Sequence, residues 1–153
     1  MAELTQYVTL GVADEVFAAP VTKVQEILDM RPISRLPRSP ENLLGMIDVR
    51  GKGIPVVDLR QTLGIVAAED TENTRILVLS VNGPTGEITI GLRADRVFEV
   101  TVLDSDTLDP PPVINTGWSD HCIEGIGRRN GRFVTVLDLE RLLGDSTGIL
   151  SAA

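Results

Sequence analysis

The sequence predicts an all-β protein with short helices, built as two similar small halves. Two observations carry this. Residues 45–64, GMIDVRGKGIPVVDLRQTLG, return without a gap eighty positions downstream as residues 125–144, GIGRRNGRFVTVLDLERLLG. Gly45/Gly125, Gly51/Gly131, Val56/Val136, Asp58/Asp138, Leu59/Leu139, Leu63/Leu143 and Gly64/Gly144 are identical, whereas unrelated segments would share roughly one or two of twenty positions. The second observation is the regular spacing of short strand-like runs with turn signals between them, which argues for β-barrels or sandwiches. Closing each half into a small barrel would remove the exposed edges that invite aggregation.

The length of 153 residues fits one domain, or two small ones sharing a core. A chain of this size buries about 68–70% of its extended surface, while either half alone would be marginal, so the halves are expected to pack on each other. Only 3% of the residues are aromatic, which leaves Val, Ile and Leu to fill both cores. The formal charge is −8, with 8 acids and 7 bases in residues 1–64 against 14 acids and 7 bases in residues 65–153. Such a surface repels phosphate backbones and anionic lipid, which argues against nucleic acid or membrane as a partner. A single cysteine, Cys122, excludes an internal disulfide and suits a reducing compartment. One histidine beside one cysteine is poor spacing for a zinc site, so no metal is expected. Met1 to Tyr7 is too polar and short for a signal peptide, and no apolar run reaches spanning length. The expectation is a soluble, cytoplasmic protein.

In chain order, Thr5 to Ala13 alternates as a strand, turns at Asp14-Glu15, and pairs back through Glu15 to Ala19 as a hairpin. Pro20 breaks the ladder because it lacks an N–H. Val21 to Lys23 is a short turn, and Val24 to Leu28 resumes extended structure. After the irregular Arg31 to Ser39, Ser39-Pro40 reads as an N-cap with proline at the first helical position, placing one helical turn over Pro40 to Leu43. Gly45 to Arg50 extends, Gly51-Lys52-Gly53 turns, and Ile54 to Val57 extends again. Asp58 caps a helical turn Leu59 to Leu63 that Gly64 ends. Residues 65–73, acidic and alanine-rich, form a connector.

The second copy begins with Ile76 to Val81, followed by a longer turn at Asn82 to Gly86. Glu87 to Val100 then matches Asp14 to Ile27, ending in RVFEV against KVQEI. Asp104 to Thr116 is a loop containing Pro110 to Pro112, and His121 to Gly127 is the strand that opens the repeated unit. The repeat halves run roughly 7–64 and 76–144, each with about five strands and one short helix. As a folding unit the chain 1–153 reads as a single domain. Its first subdomain covers approximately 15–82 and its second approximately 83–144, the N-terminal strand 5–13 being a candidate to cross over into the second, and 145–153 form a flexible tail.

Catalytic candidates are scarce. Asp120-His121-Cys122 has residue types suited to a thiol nucleophile, but neighbours in a strand point to opposite faces, which favours a core-facing cysteine beside a surface histidine. Gly51-Lys52-Gly53 lacks the GxxxxGK[ST] spacing of a phosphate loop and enters no long helix. Asp58 and Asp138 occupy equivalent places in a repeat, which favours two helix caps over a carboxylate pair. No catalytic residue and no cofactor is expected. Arg50 stands apart: its counterpart is Asn130, so the turn does not require it, and its planar fork suits a carboxylate. Glu26 is a plausible partner, although its counterpart Glu99 persists in the second copy.

These residues carry a resemblance. VRGKGIPVVDLRQTLG looks like the signature NLRGxxIPVVDLR of the CheW family of chemotaxis coupling proteins, and KVQEI at 23–27 is similar to that family's upstream signature. The match runs from Tyr7 to Leu143, with Asp48-Val49 in place of the usual Asn-Leu and Gly53 in place of a common apolar residue. The resemblance implies two five-stranded, SH3-like β-barrels about a pseudo-twofold axis. It also implies a non-catalytic adaptor linking the cytoplasmic tip of chemoreceptors to a CheA-type histidine kinase, associated with receptor arrays at the inner face of the membrane. Positions matching Val24, Glu26, Gly45, Val49 and Arg50 are implied to bind the receptor, which docks between the barrels. The first barrel would contact the kinase's regulatory domain through residues not yet assigned, and the second could close rings by an analogous contact. The alternative is a barrel module that senses a small ligand in another phosphorelay. A cysteine- or metal-dependent enzyme is a more distant third.

Overall fold

In the computed structural model residues 5–83, 86–111 and 122–147 are described. The described residues form ten strands, in order β1 (Tyr7–Val12), β2 (Glu15–Pro20), β3 (Val24–Asp29), β4 (Leu43–Val49), β5 (Lys52–Asp58), β6 (Arg75–Gly83), β7 (Gly86–Ala94), β8 (Arg96–Thr101), β9 (Ile123–Arg129) and β10 (Arg132–Leu137). Helix α1 (Leu59–Thr62) follows β5, α2 (Leu139–Thr147) follows β10, and a 3-10 turn at Val21–Lys23 separates β2 from β3.

The strands form two five-stranded sheets, β3-β6-β7-β5-β4 and β8-β1-β2-β10-β9, which are the two SH3-like barrels. They are called here the first and the second barrel. The two repeats do not each build their own barrel. Hairpin β1–β2 joins β8, β9 and β10, while hairpin β6–β7 joins β3, β4 and β5. Replacing each strand by its repeat counterpart turns one sheet order into the other, and each exchange is sealed by a parallel pair, β10 with β2 and β5 with β7. The expected subdomains divide the strands differently: β2 lies with β1 in the second barrel, and β7 lies in the first. Strand pattern specifies local hairpins but not which of two equivalent barrels receives them. Pro20 and the 3-10 turn after it lead the chain from one barrel to the other.

Burial explains why the exchange holds. Every residue of β1 is buried: Val8, Leu10 and Val12 face the other barrel, and Tyr7 faces its own barrel's interior. The largest apolar cluster lies between the barrels and includes Leu10, Leu59, Leu77, Leu79, Ile90 and Leu142. Separate clusters fill the first barrel (Leu28, Ile47, Val49, Ile54, Val56, Ile76, Val78) and the second (Tyr7, Ala18, Leu103, Val134, Val136). The halves therefore share their main core, as their marginal individual sizes require.

Several local expectations are corrected. Pro40 to Leu43 is a hydrogen-bonded turn (Leu43 N to Pro40 O, 3.0 Å) rather than helix, because β4 begins at Leu43 and draws the chain into the sheet. Glu87 to Val100 does match Asp14 to Ile27, its break at Asp95 between β7 and β8 standing where the 3-10 turn Val21–Lys23 separates β2 from β3. Gly64, at φ +80, ends α1 as expected, with its amide donating to Gln61 O. Helix α2 instead continues through Gly144 to Thr147, so residues 145–147 of the expected tail are helical. Residues 148–153, the prolines' continuation 112–116, and Asp120 and His121 lie outside the described residues.

Candidate functional site

The hairpin β4–β5 pairs Asp48 with Gly53 and Val49 with Lys52, so its turn is the dipeptide Arg50-Gly51, and the expected turn at Gly51-Lys52-Gly53 is displaced by one residue. Both turn residues have positive φ, 53° at Arg50 and 83° at Gly51, the conformation of a type I′ turn whose twist matches that of the strands. Asn-Gly is the favoured sequence there, and the second copy has it: Asn130 and Gly131 at 55° and 80°. Arginine in the first copy is held in a backbone region that side chains with a Cβ avoid.

The Arg50 fork reaches across the opening between the edge strands β4 and β3 and grips Glu26 with two bonds, Nη1 to Oε1 at 3.0 Å and Nη2 to Oε2 at 2.6 Å. The Arg50 bond first, and the charges of Arg50 and Arg31 further, hold the Glu26 carboxyl below its usual range against mild desolvation. The guanidinium remains largely exposed, so Glu26 aims it without covering it. The persistence of Glu99 is now explained: Arg129, one residue before Asn130, stands 3.7 Å from Glu99 across the equivalent opening between β9 and β8. The Arg128-Arg129 pair ahead of the turn was the available sequence signal. Asp48 does not engage Arg50. Its carboxylate accepts from the Gly51 amide at 2.7 Å, a turn clamp that an asparagine could equally supply.

The remaining expected receptor-contact positions divide. Val24 is partly buried against the cluster between the barrels. Val49 is 5% exposed and packs inside the first barrel, so its side chain is spent on the core. Gly45 is buried at φ +145, and a Cβ there would collide with the backbone oxygen of Ser34. That approach is required because Ser34 and Met46 exchange backbone hydrogen bonds of 2.8 and 2.7 Å, adding a bridge at the barrel's edge. Asp109 and Ile126 form the same bridge beside Gly125 in the second barrel. Of the five positions, only Glu26 and Arg50 are brought into contact as an exposed polar pair.

The other candidates resolve into structural roles. Cys122 is partly buried and packs against the cluster between the barrels. Lys52 lies in β5. Asp58 caps α1 by accepting from Arg60 N at 3.3 Å, and Asp138 caps α2 by accepting from Arg141 N at 3.2 Å. The two are not identical, because Asp58 is also buried beside the buried Arg93, 3.2 Å away. Burial pushes the Asp58 carboxyl up, more than the Arg93 charge and the Arg60 amide lower it. Arg93 also donates from Nε to Asp70 at 2.7 Å and from Nη2 to Ala68 O at 3.1 Å, fastening the acidic connector to the barrel. Among the described residues, no three His, Cys, Asp or Glu side chains are grouped to hold a metal ion, and no helix is long and apolar enough to cross a membrane.

Comparison with known proteins gives the same boundaries as the fold. The model of the CheW-like domain matches residues 6–147. A chemotaxis protein CheW of Helicobacter pylori is 30% identical over 92% of this chain and 82% of its own length. Protein FrzA of Myxococcus xanthus is 27% identical over 90% and 84%. Among solved structures, the scaffolding protein TtCheW of Thermoanaerobacter tengcongensis superposes with a TM-score of 0.81 at 28% identity, covering 92% of this chain and 93% of that one.

Proposed function

The chain belongs to the CheW-like domain family, and from that premise we propose that it is a non-catalytic adaptor coupling chemoreceptors to a CheA-type histidine kinase in a chemotaxis-like pathway. Its place of action is the cytoplasm, at receptor arrays on the inner face of the membrane. The observation that carries this reading is Arg50. It occupies a turn position where the duplicate has the better-suited asparagine, it is aimed by Glu26, and it stays open to solvent. Backbone strain retained at one copy of a repeat is a mark of function rather than of folding.

The receptor tip, an acidic-and-apolar helical surface in this proposal, meets the first barrel at Glu26 and Arg50. Val24 flanks that contact, while Gly45 and Val49 contribute by holding the strand that presents the arginine. The first barrel also meets the kinase's regulatory domain, and the second makes ring contacts of the same type. Individual contacts of this kind are weak and gain strength by simultaneous engagement. The test is co-sedimentation of the purified protein with receptor-bearing membranes and the kinase regulatory domain. Recovery of all three together is expected, and a protein that joins neither component would sink the proposal.

A further inference from the structure

The two barrels are built alike but not filled alike at their hairpin ends. Val49 and Arg129 hold equivalent places, each the last residue before its turn, paired with Lys52 and Arg132. Val78 and Thr9 are also equivalent, paired with Glu26 and Glu99. In the first barrel Val49 and Val78 are buried in the interior cluster. In the second, Arg129 and Thr9 replace them. Leu103 closes over Gly127 deeper in this barrel, yet a cavity of about 170 Å³ remains, lined from all five strands by Thr9, Val16, Phe98, Glu99, Arg129, Arg132 and Val134.

The chemistry of this cavity is specific. Arg129 Nε is buried with no hydrogen-bond partner, and the Glu99 carboxylate stands off at 3.7 Å, against 2.6 Å for the Arg50–Glu26 pair. Arg132, at the rim, is engaged with the Asp14 carbonyl. Val16, Val134 and the half-exposed Phe98 supply an apolar wall. An arginine whose buried Nε lacks a hydrogen-bond acceptor beside such a wall matches an anion of planar shape carried on a short hydrocarbon stem. We propose that the hairpin end of the second barrel is a binding pocket for a carboxylate on a short apolar stem, held by Arg129 in place of Glu99. A free short-chain acid and a glutamate side chain of a partner share this chemistry.

The experiment is an amide-detected NMR titration of the full chain with 3-methylbutanoate, at ionic strength matched with chloride. A parallel titration uses 3-methylbutanol, and another uses a blocked glutamate peptide. Saturable shifts at Thr9, Phe98 and Arg129 are expected with the acid and not with the alcohol. Affinity should fall at least tenfold in Arg129→Val, which installs the first barrel's residue, and rise severalfold in Glu99→Gln, which removes the competing carboxylate. Arg129→Gln serves if the valine variant does not fold. Tighter binding of the peptide assigns the pocket to a partner's side chain, and tighter binding of the free acid assigns it to a metabolite. No saturable shift, an equal response to the alcohol, or binding unchanged in the arginine variants would overturn the proposal.

Discussion

The hairpin turns Arg50-Gly51 and Asn130-Gly131 share one backbone shape, with φ values of 53° and 83° against 55° and 80°, and differ in how they obtain it. In the second barrel the residue suits the shape, and Asp104 from a neighbouring loop accepts from both turn amides at 3.0 Å. Those amides, Gly131 first, hold the Asp104 carboxyl below its usual range. In the first barrel the clamp is Asp48, within the hairpin itself, and the residue at the strained position is an arginine gripping Glu26. A duplicated fold thus serves as its own control: what both copies keep builds the hairpin, and what one copy keeps against local preference serves something else.

The comparison can be broken most severely at the far end of the barrels, where the first has the buried Asp58–Arg93 pair and the second has Pro20 at the place of Arg93. Arg93→Ala leaves Asp58 buried without its partner and is expected to cost about 3–5 kcal/mol in urea unfolding, while Pro20→Ala should cost far less. Next comes the bridging glycine. Gly45→Ala meets the Ser34 backbone oxygen at positive φ and should lose about 3 kcal/mol, whereas Gly125→Ala, without a positive φ, meets the Leu108 Cβ at 2.7 Å and the Asp109 backbone oxygen at 3.1 Å and should lose less, about 2 kcal/mol. Equal losses would show that the two bridges rest on the same constraint after all and would break this comparison.

Smaller effects sharpen the turn itself. Asn130→Arg should destabilise by about 1 kcal/mol, since it imports the backbone strain of the first copy. The smallest expected effect is on acid stability, under about 1 kcal/mol per group. Burial alone would raise Asp95, but the Arg60 fork at 2.8–3.1 Å and the Ala13 amide together hold it low. Glu140 is likewise lowered, with burial opposed by Lys23 and by backbone amides. A carboxyl lowered in the fold stabilises above its unfolded pKa and loses that contribution as pH falls through its folded pKa. The raised Asp58 acts oppositely, favouring the fold at low pH and losing that contribution as pH rises. Urea midpoints measured between pH 7 and pH 3 should therefore fall toward the acid end, with a shallower fall in Asp95→Asn.

The repeat, the hairpins and the helix caps were legible in sequence because each rests on local signals: period-two alternation, proline and glycine punctuation, and an aspartate before a short apolar helix. The exchange of hairpins between barrels was not, since equivalent repeats offer equivalent docking edges and residue pattern carries no address. Arg50 was legible as the unshared residue of the repeat, and Glu26 as a plausible partner. Its doubtful point, the persistence of Glu99, dissolved only when the fold placed Arg129 rather than Asn130 beside it. Val49 illustrates the reverse case, a motif position whose side chain proves to be core.

The central claim is that Arg50 is kept for a partner rather than for the fold. The direct measurement is the affinity of Arg50→Asn for the chemoreceptor cytoplasmic tip, taken with its thermal unfolding midpoint. The substitution installs the second copy's own turn residue, so the expected result is an unchanged or raised midpoint together with roughly tenfold or greater loss of receptor affinity. A folded variant that binds the receptor tip as well as the parent protein would contradict it.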